Sequence, residues 1–336
     1  MSTGNDIPFL RLLTAIAELK EHAKGAKREI LEFADRDPAK ARALFKVADA
    51  MLKQFAKTSV YKKLKYSLDM ISYGDEERYY DVDAFGMSNA TVEAVMPIFQ
   101  FLYHHYFRVE VEGAKNIARN GPALVIANHS GVLPYDGAIT NLAVYNNHPK
   151  QRYPRYLVDD FAYYVPFVGT FIQRTGGVRA CQENATRLLD HGHMVLVFPE
   201  GLKGVSKSYD ERYQLRRFGR GGYVKLAMRT GVPVIPTAIM GAEEIHPMLW
   251  KSDVLGKAIG LPYFPFTVTF PWLGPLGMIP LPTKWKIIFG KPISFKKFTA
   301  RDAKSERKVK EVSQKIQSKV QAMIDKELKN RDSVWY

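Results

Sequence analysis

Five consecutive apolar residues, Ala123-Leu124-Val125-Ile126-Ala127, stop abruptly at Asn128-His129-Ser130-Gly131. This stop constrains the chain more than any other stretch. The run is too short for a core helix, follows Gly121-Pro122 and carries β-branched Val125 and Ile126, so it reads as a buried strand. His129 then stands at the carboxyl end of that strand, where open α/β sheets place ligands and catalytic groups. Ser130, Gly131 and Pro134 make a turn, and Asp136 falls at or just before the start of a helix through Ile139, Leu142 and Tyr145. The two side chains can therefore face each other across one loop. A carboxylate on one imidazole nitrogen fixes the tautomer and leaves the other nitrogen to take a proton near neutral pH. The plain alternative is a structural histidine beside an aspartate that only caps a helix.

Further strands are expected over residues 108–112, 156–158, 194–198, 232–239 and 286–289. Helices are expected over 91–106, with Pro97 as a kink, and over 184–190, 220–230 and 301–329, the last as one long basic helix or a pair. Residues 166–173 read as a short helix or tight turn. This alternation indicates an α/β sheet. Upstream, residues 6–73 show amphipathic, basic helical patterning, and 72–88 read as a linker or covering loop. The chain thus divides into an N-terminal helical region and linker, 1–106, and a catalytic domain with a C-terminal helix, 107–336. Residues 261–281 are apolar and aromatic but carry five prolines, so they cannot form one helix and read as a long loop. Such a loop can pack over the core, line an acyl-chain channel or dip into lipid.

The single cysteine, Cys181, excludes an internal disulfide in a chain of 336 residues. No cleavable signal pattern opens the sequence, and no apolar stretch approaches the roughly 20 residues a membrane-spanning helix needs. A cytoplasmic setting is expected. The formal net charge of +15 points to an anionic partner. No zinc spacing, RNP-like strand or recognition helix suggests nucleic acid, whereas basic residues share segments with apolar ones, as in interfacial helices. The expected partner is a membrane surface, with a merely solvated basic exterior as the alternative.

Four blocks, in order, resemble the glycerolipid acyltransferases, also called the lysophospholipid acyltransferase superfamily. Asn128-His129 with Asp136 is similar to the histidine-aspartate block, and Gly169-Thr170-Phe171-Ile172-Gln173-Arg174 to the second. Phe198-Pro199-Glu200-Gly201 resembles the third, and Val232-Pro233-Val234-Ile235-Pro236 the fourth. The resemblance covers about residues 107–293 and leaves the N-terminal helices unexplained. Six residues separate His129 from Asp136, against the usual four. That longer loop resembles the branch acting on mono- and diacylglycerols. Leu202-Lys203 also replaces the usual Thr-Arg after the third block, keeping a charge but losing the planar two-pronged fit to phosphate.

The resemblance implies a mixed, largely parallel sheet flanked by helices, and acyl transfer from coenzyme A or acyl carrier protein to a glycerolipid hydroxyl. No metal and no cofactor is expected beyond that co-substrate. His129 would be the general base and Asp136 its orienter, with no acyl-enzyme. Arg174 and Lys203 would hold an acceptor phosphate, while Glu200 and Gly201 shape the pocket. Arg216, Arg217 and Arg220 form a second basic cluster, suited to donor phosphates or a lipid headgroup or simply solvated. Lysophosphatidic acid or another lysophospholipid is the first expected acceptor and a neutral acylglycerol or other lipid alcohol the second. A non-catalytic lipid-binding protein is the competing class. Ser130 lacks a glycine-flanked nucleophile elbow, and Cys181 reads as packed rather than reactive. The implied site of action is the cytosolic face of a membrane, bound peripherally.

Overall fold

The structure, a computed structural model, describes residues 82–133, 135–164, 168–258 and 260–335. The amphipathic helices expected over residues 6–73 lie outside these. Ten helices are named in chain order: α1 (Asn89–Phe101), α2 (Tyr135–Asn147), α3 (Asp160–Tyr164), α4 (Val168–Arg174), α5 (Gln182–Asp190), α6 (Leu202–Val205), α7 (Gly222–Thr230), α8 (Asp253–Ala258), α9 (Ala300–Lys304) and α10 (Glu306–Leu328). The strands are β1 (Glu110–Glu112), β2 (Ala123–Ala127), β3 (Arg155–Val158), β4 (Gly177–Arg179), β5 (Met194–Val197), β6 (Val234–Met240), β7 (Met248–Ser252), β8 (Phe264–Thr267) and β9 (Lys286–Phe289).

Seven strands form one sheet in the order β1-β9-β6-β2-β5-β3-β4. The five from β6 to β4 run parallel, while β9 returns antiparallel to β6 and carries β1 with it. The sheet is mixed and mostly parallel, flanked by helices. All of β2 is buried, because successive side chains leave a strand on opposite faces and here both faces are covered. Leu124 and Ile126 enter one core with Leu188, Val224 and Ile316; Ala123, Val125 and Ala127 enter the other with Ile139, Leu142 and Trp285. Helix α10 buries Val309, Ile316, Val320 and Ile324 in a stripe of helical spacing, which seats it on the first face. On the second face, Met96, Phe99 and Tyr103, which precede residue 107, share the core of β2.

Several elements differ from the sequence reading. Helix α1 continues past Pro97 and ends in a π-helical turn, Leu102–Tyr106. The basic terminal segment takes the second of its two expected forms, a pair of helices parted at Ser305, whose side chain caps α10. The stretch read as one long loop, 261–281, contains β8, which pairs antiparallel with β7 in a separate two-stranded sheet. Five prolines masked this strand, yet both members of such a sheet have an unpaired edge and tolerate Pro265. Strand β4 was hidden by its length, three residues opening on Gly177.

Candidate active site

The sheet stops being apolar at Asn128, and the structure uses that residue to lock two strands. Its side-chain Nδ2 donates to the carbonyl of Ile239 at 2.9 Å, and its Oδ1 accepts from the Ile239 N–H at 2.7 Å. This amide continues the β2–β6 ladder by one rung with a side chain, so the chain can turn away at His129 without orphaning the backbone of β6.

His129 is held from three sides. Its Nδ1 lies 2.6 Å from Oδ2 of the fully buried Asp136, in the first turn of α2. That carboxylate also accepts from the N–H of Ser130 at Oδ2 and of Gly137 at Oδ1, both at 2.9 Å. Three donors fix its plane, and a helix N-terminus is a favourable place for its charge. The imidazole stacks on Phe198, with ring centroids 4.4 Å apart. Among the described residues, none hydrogen-bonds its Nε2. The six-residue spacer therefore closes into a loop that joins His129 to Asp136 directly. The Ser130 hydroxyl beside them is fully buried, and Cys181 caps α5 through its sulfur.

The third side is Glu200. Its Oε1 accepts from the backbone N–H of His129 at 2.9 Å, and its Oε2 from that of Arg216 at 2.7 Å. Lys207 stands 3.5 Å from the same Oε2 and 2.9 Å from Glu243. Both oxygens of Glu200 are thus committed to the protein, where they tie the backbone of the His129 loop to that of Arg216. Glu243 also takes the N–H of Tyr213, and burial pushes its carboxyl up to about 7. Gly201 has φ 55 and ψ −145, a conformation essentially confined to glycine, and both its N–H and its carbonyl are used within the turn into α6.

Two further contacts escaped the sequence. A Cβ on Gly204 would lie 2.8 Å from the Cβ atoms of both Glu200 and His129, so only glycine lets α6 approach the histidine this closely. Lys207 is buried between two carboxylates although in sequence it looks like any solvated lysine. Glycine at 201 was readable from its block; Gly204 and Lys207 carry no comparable local signal.

The candidate anion ligands separate. Lys203, Arg216 and Arg217 line one cleft of about 680 Å³ together with Lys251, Leu249 and Trp250. Lys203 precedes Gly204, which packs against His129, while His129 itself is not among the residues that line this cleft. Arg216 also pairs with Glu211. Arg220 faces a groove against α10, with Arg307 and Lys310, and Arg217 lines this groove as well as the cleft. Arg174 closes α4 just before β4, at the amino edge of the parallel strands, whereas His129 is at the carboxyl edge. Since β4 is the third strand from β2, it is roughly 14 Å away across the sheet. The structure does not bring Arg174 to His129. At the carboxyl edge, β3 is followed by two carboxylates, Asp159 and Asp160, the second paired with Arg179. Among the described residues, no group of three or more His, Cys, Asp or Glu could hold a metal ion.

The acyltransferase family model matches residues 108–240, the span from β1 to β6 that holds His129, Asp136 and Glu200. The chain is 42% identical to an uncharacterised protein of Mycobacterium tuberculosis over 258 residues, covering 76% of this chain and 72% of the relative. It is 26% identical over 229 residues to the human "DGAT1/2-independent enzyme synthesizing storage lipids", covering 67% of this chain and 62% of that protein. Among solved structures it resembles the 1-acyl-sn-glycerophosphate acyltransferase PlsC of Thermotoga maritima, with a TM-score of 0.49 and 20% identity, over 82% of this chain and 96% of that one. The chain belongs to the acyltransferase family.

Proposed function

We propose that the chain transfers a fatty acyl group from the thioester of acyl-coenzyme A or acyl carrier protein to a hydroxyl of a lysophospholipid such as lysophosphatidic acid. The reaction takes place at the cytosolic face of a membrane that the protein binds peripherally. The observation that carries this reading is the 2.6 Å contact between His129 Nδ1 and Asp136, which fixes the tautomer and points basicity to Nε2. Nε2 takes the proton of the acceptor hydroxyl as its oxygen attacks the thioester carbonyl. The carbon–sulfur bond then breaks, the imidazolium returns the proton to the departing thiolate, and the ester remains. Asp136 holds the ring in place and stabilises the imidazolium. Lys203, Arg216 and Arg217 support a phosphate-bearing acceptor, since they converge on one cleft at α6, the helix that packs against His129 through Gly204.

A neutral acylglycerol is the second reading. Asp159 and Asp160 at the carboxyl edge of β3 disfavour a phosphate there, and the human relative's name concerns storage lipids. One assay tests both. Purified protein is mixed with liposomes, an acyl-coenzyme A or acyl carrier protein and one acceptor from a panel, and free thiol release is followed. Release with lysophosphatidic acid well above that with monoacylglycerol is the expected result. The reverse order moves the assignment to the second reading. No release with any pair means a lipid-binding protein that keeps the fold.

A further inference from the structure

Nine of the fifteen large apolar side chains exposed among the described residues fall between Leu249 and Ile279. They belong to the excursion that leaves the main sheet after β6 and returns at β9. Val254 is 79% exposed, Leu276 68% and Trp272 62%. Monomeric soluble proteins rarely expose apolar surface in such concentration without a binding function. The excursion is nevertheless ordered internally: Trp250 stacks on Phe266 at 3.9 Å, Phe266 adjoins Trp272, and Phe264 adjoins Phe270.

The excursion is also fastened to the catalytic machinery at both ends. The Leu281 N–H donates to the carbonyl of Ile245, and Gly131 of the His129 loop packs against Ile245. On its other flank the Tyr263 hydroxyl donates to the carbonyl of Val205 at 2.9 Å, and Lys251 reaches Ser206 at 3.1 Å, both at the end of α6. The apolar surface and the cationic cleft share Leu249 and Trp250, so the apolar plate borders the cations Lys203, Arg216, Arg217 and Lys251.

We infer that residues 248–279 form a bilayer-docking platform, whose apolar side chains enter the headgroup and upper acyl layer while the adjoining cations meet anionic headgroups. Charge decides the occupant: an apolar plate edged by lysine and arginine, on a chain of net charge +15, matches an anionic bilayer and repels a second copy of itself. Tryptophans beside aliphatic residues suit the same boundary, where one end of the ring is apolar and the other wet. The platform then sets the mouth of the active site at the height from which a lipid acceptor rises. This inference rests on the membrane part of the proposed function and adds the surface that does the docking.

The test uses the full chain and vesicles of equal parts phosphatidylcholine and phosphatidylglycerol. The triple variant Val254→Ser, Trp272→Ala, Leu276→Ser changes residues outside the cleft and the catalytic loop, and its fold is checked by its melting transition. Vesicle affinity is expected to fall at least tenfold, while acyl transfer to a water-soluble short-chain acceptor is retained. Brominated lipid is expected to quench the fluorescence of the native protein, and Trp272→Phe to lose much of that quenching. Unchanged affinity, or no quenching from Trp272, overturns the platform: the surface is then covered by another part of the chain or by a second copy, which sedimentation at rising concentration tells apart. Absence of transfer to every acceptor by the native protein would instead strike the catalytic reading, and vesicle binding would still decide for or against the platform.

Discussion

Gly204 and His129 touch backbone to side chain: a methyl group at residue 204 would stand 2.8 Å from the Cβ of the histidine and 3.1 Å from its carbonyl oxygen. The approach of α6 to His129 therefore depends on an absent side chain. Gly204→Ala must push either the helix or the histidine, and a displacement near 1 Å costs about a hundredfold in rate. We expect kcat to fall by about that factor with a native circular dichroism spectrum. Normal activity in the Gly204→Ala variant would show that the loop yields without cost.

Removal of the base itself separates chemistry from support. His129→Ala is expected to lower turnover by about a hundred- to ten-thousandfold while vesicle binding and melting temperature hold. Asp136→Asn should cost less. The amide oxygen can keep both bonds that Oδ2 now receives, from His129 and Ser130, and the amide nitrogen meets only the Gly137 N–H. The base then keeps its tautomer and loses the charge that stabilises its protonated form. Steady-state kinetics on the two variants provides the check, and equal losses would mean the tautomer is lost as well.

Glu243 supplies a pH signature. Its carboxyl is raised from the usual value of 4.5 to about 7, burial being the main cause. The folded protein thus holds this proton more tightly than the unfolded chain, so the group's contribution is most favourable below about 4.5 and is lost as pH rises through 7. The total over that window is of the order of 3 kcal/mol. Melting curves of the native protein and of Glu243→Gln, compared from about pH 5 to about pH 8, should show the native protein losing ground as pH rises. Parallel curves would mean that Lys207 keeps Glu243 ionised throughout.

The cleft predicts a division between basic residues. Lys203→Ala and Arg217→Ala are each expected to reduce kcat/KM for lysophosphatidic acid by about ten- to a hundredfold, the worth of a charge-assisted hydrogen bond to phosphate. Arg174→Ala, at the opposite edge of the sheet, should change it by only a few-fold. Rates are compared at fixed vesicle surface charge, since each substitution also alters attraction to the membrane. A severe Arg174 defect confined to phosphate-bearing acceptors would place the acceptor site elsewhere.

Much of this was legible because it was local. The run 123–127 ends where β2 ends, the apolar pattern of 286–289 matches the strand it forms, and Gly231 closes α7 in a left-handed conformation after residue 230. His129 and Asp136 sit seven positions apart on a strand-to-helix turn whose geometry short-range rules describe. What stayed hidden depends on residues distant in sequence. Glu200 was noticed in its block, yet its work on the backbone N–H groups of His129 and Arg216 exists only once β5 lies beside β2. Arg174 is a ligand candidate only through the resemblance of its block, and strand direction puts it on the other edge. Strand β8 was masked by prolines that a two-stranded ribbon tolerates.

The bond from Glu200 to His129 spans 71 positions of the chain. Loop closure over such a distance comes late in the folding of a nonlocal topology, after helices and short turns have formed. The catalytic geometry is consequently a reporter of completed assembly: a partly folded chain with most of its helix content has no orientated base. During refolding, enzymatic activity should return with the tertiary signal of the paired β2–β5 core and lag the recovery of helical ellipticity. An acyltransferase that matures in this order stays silent until its sheet is whole.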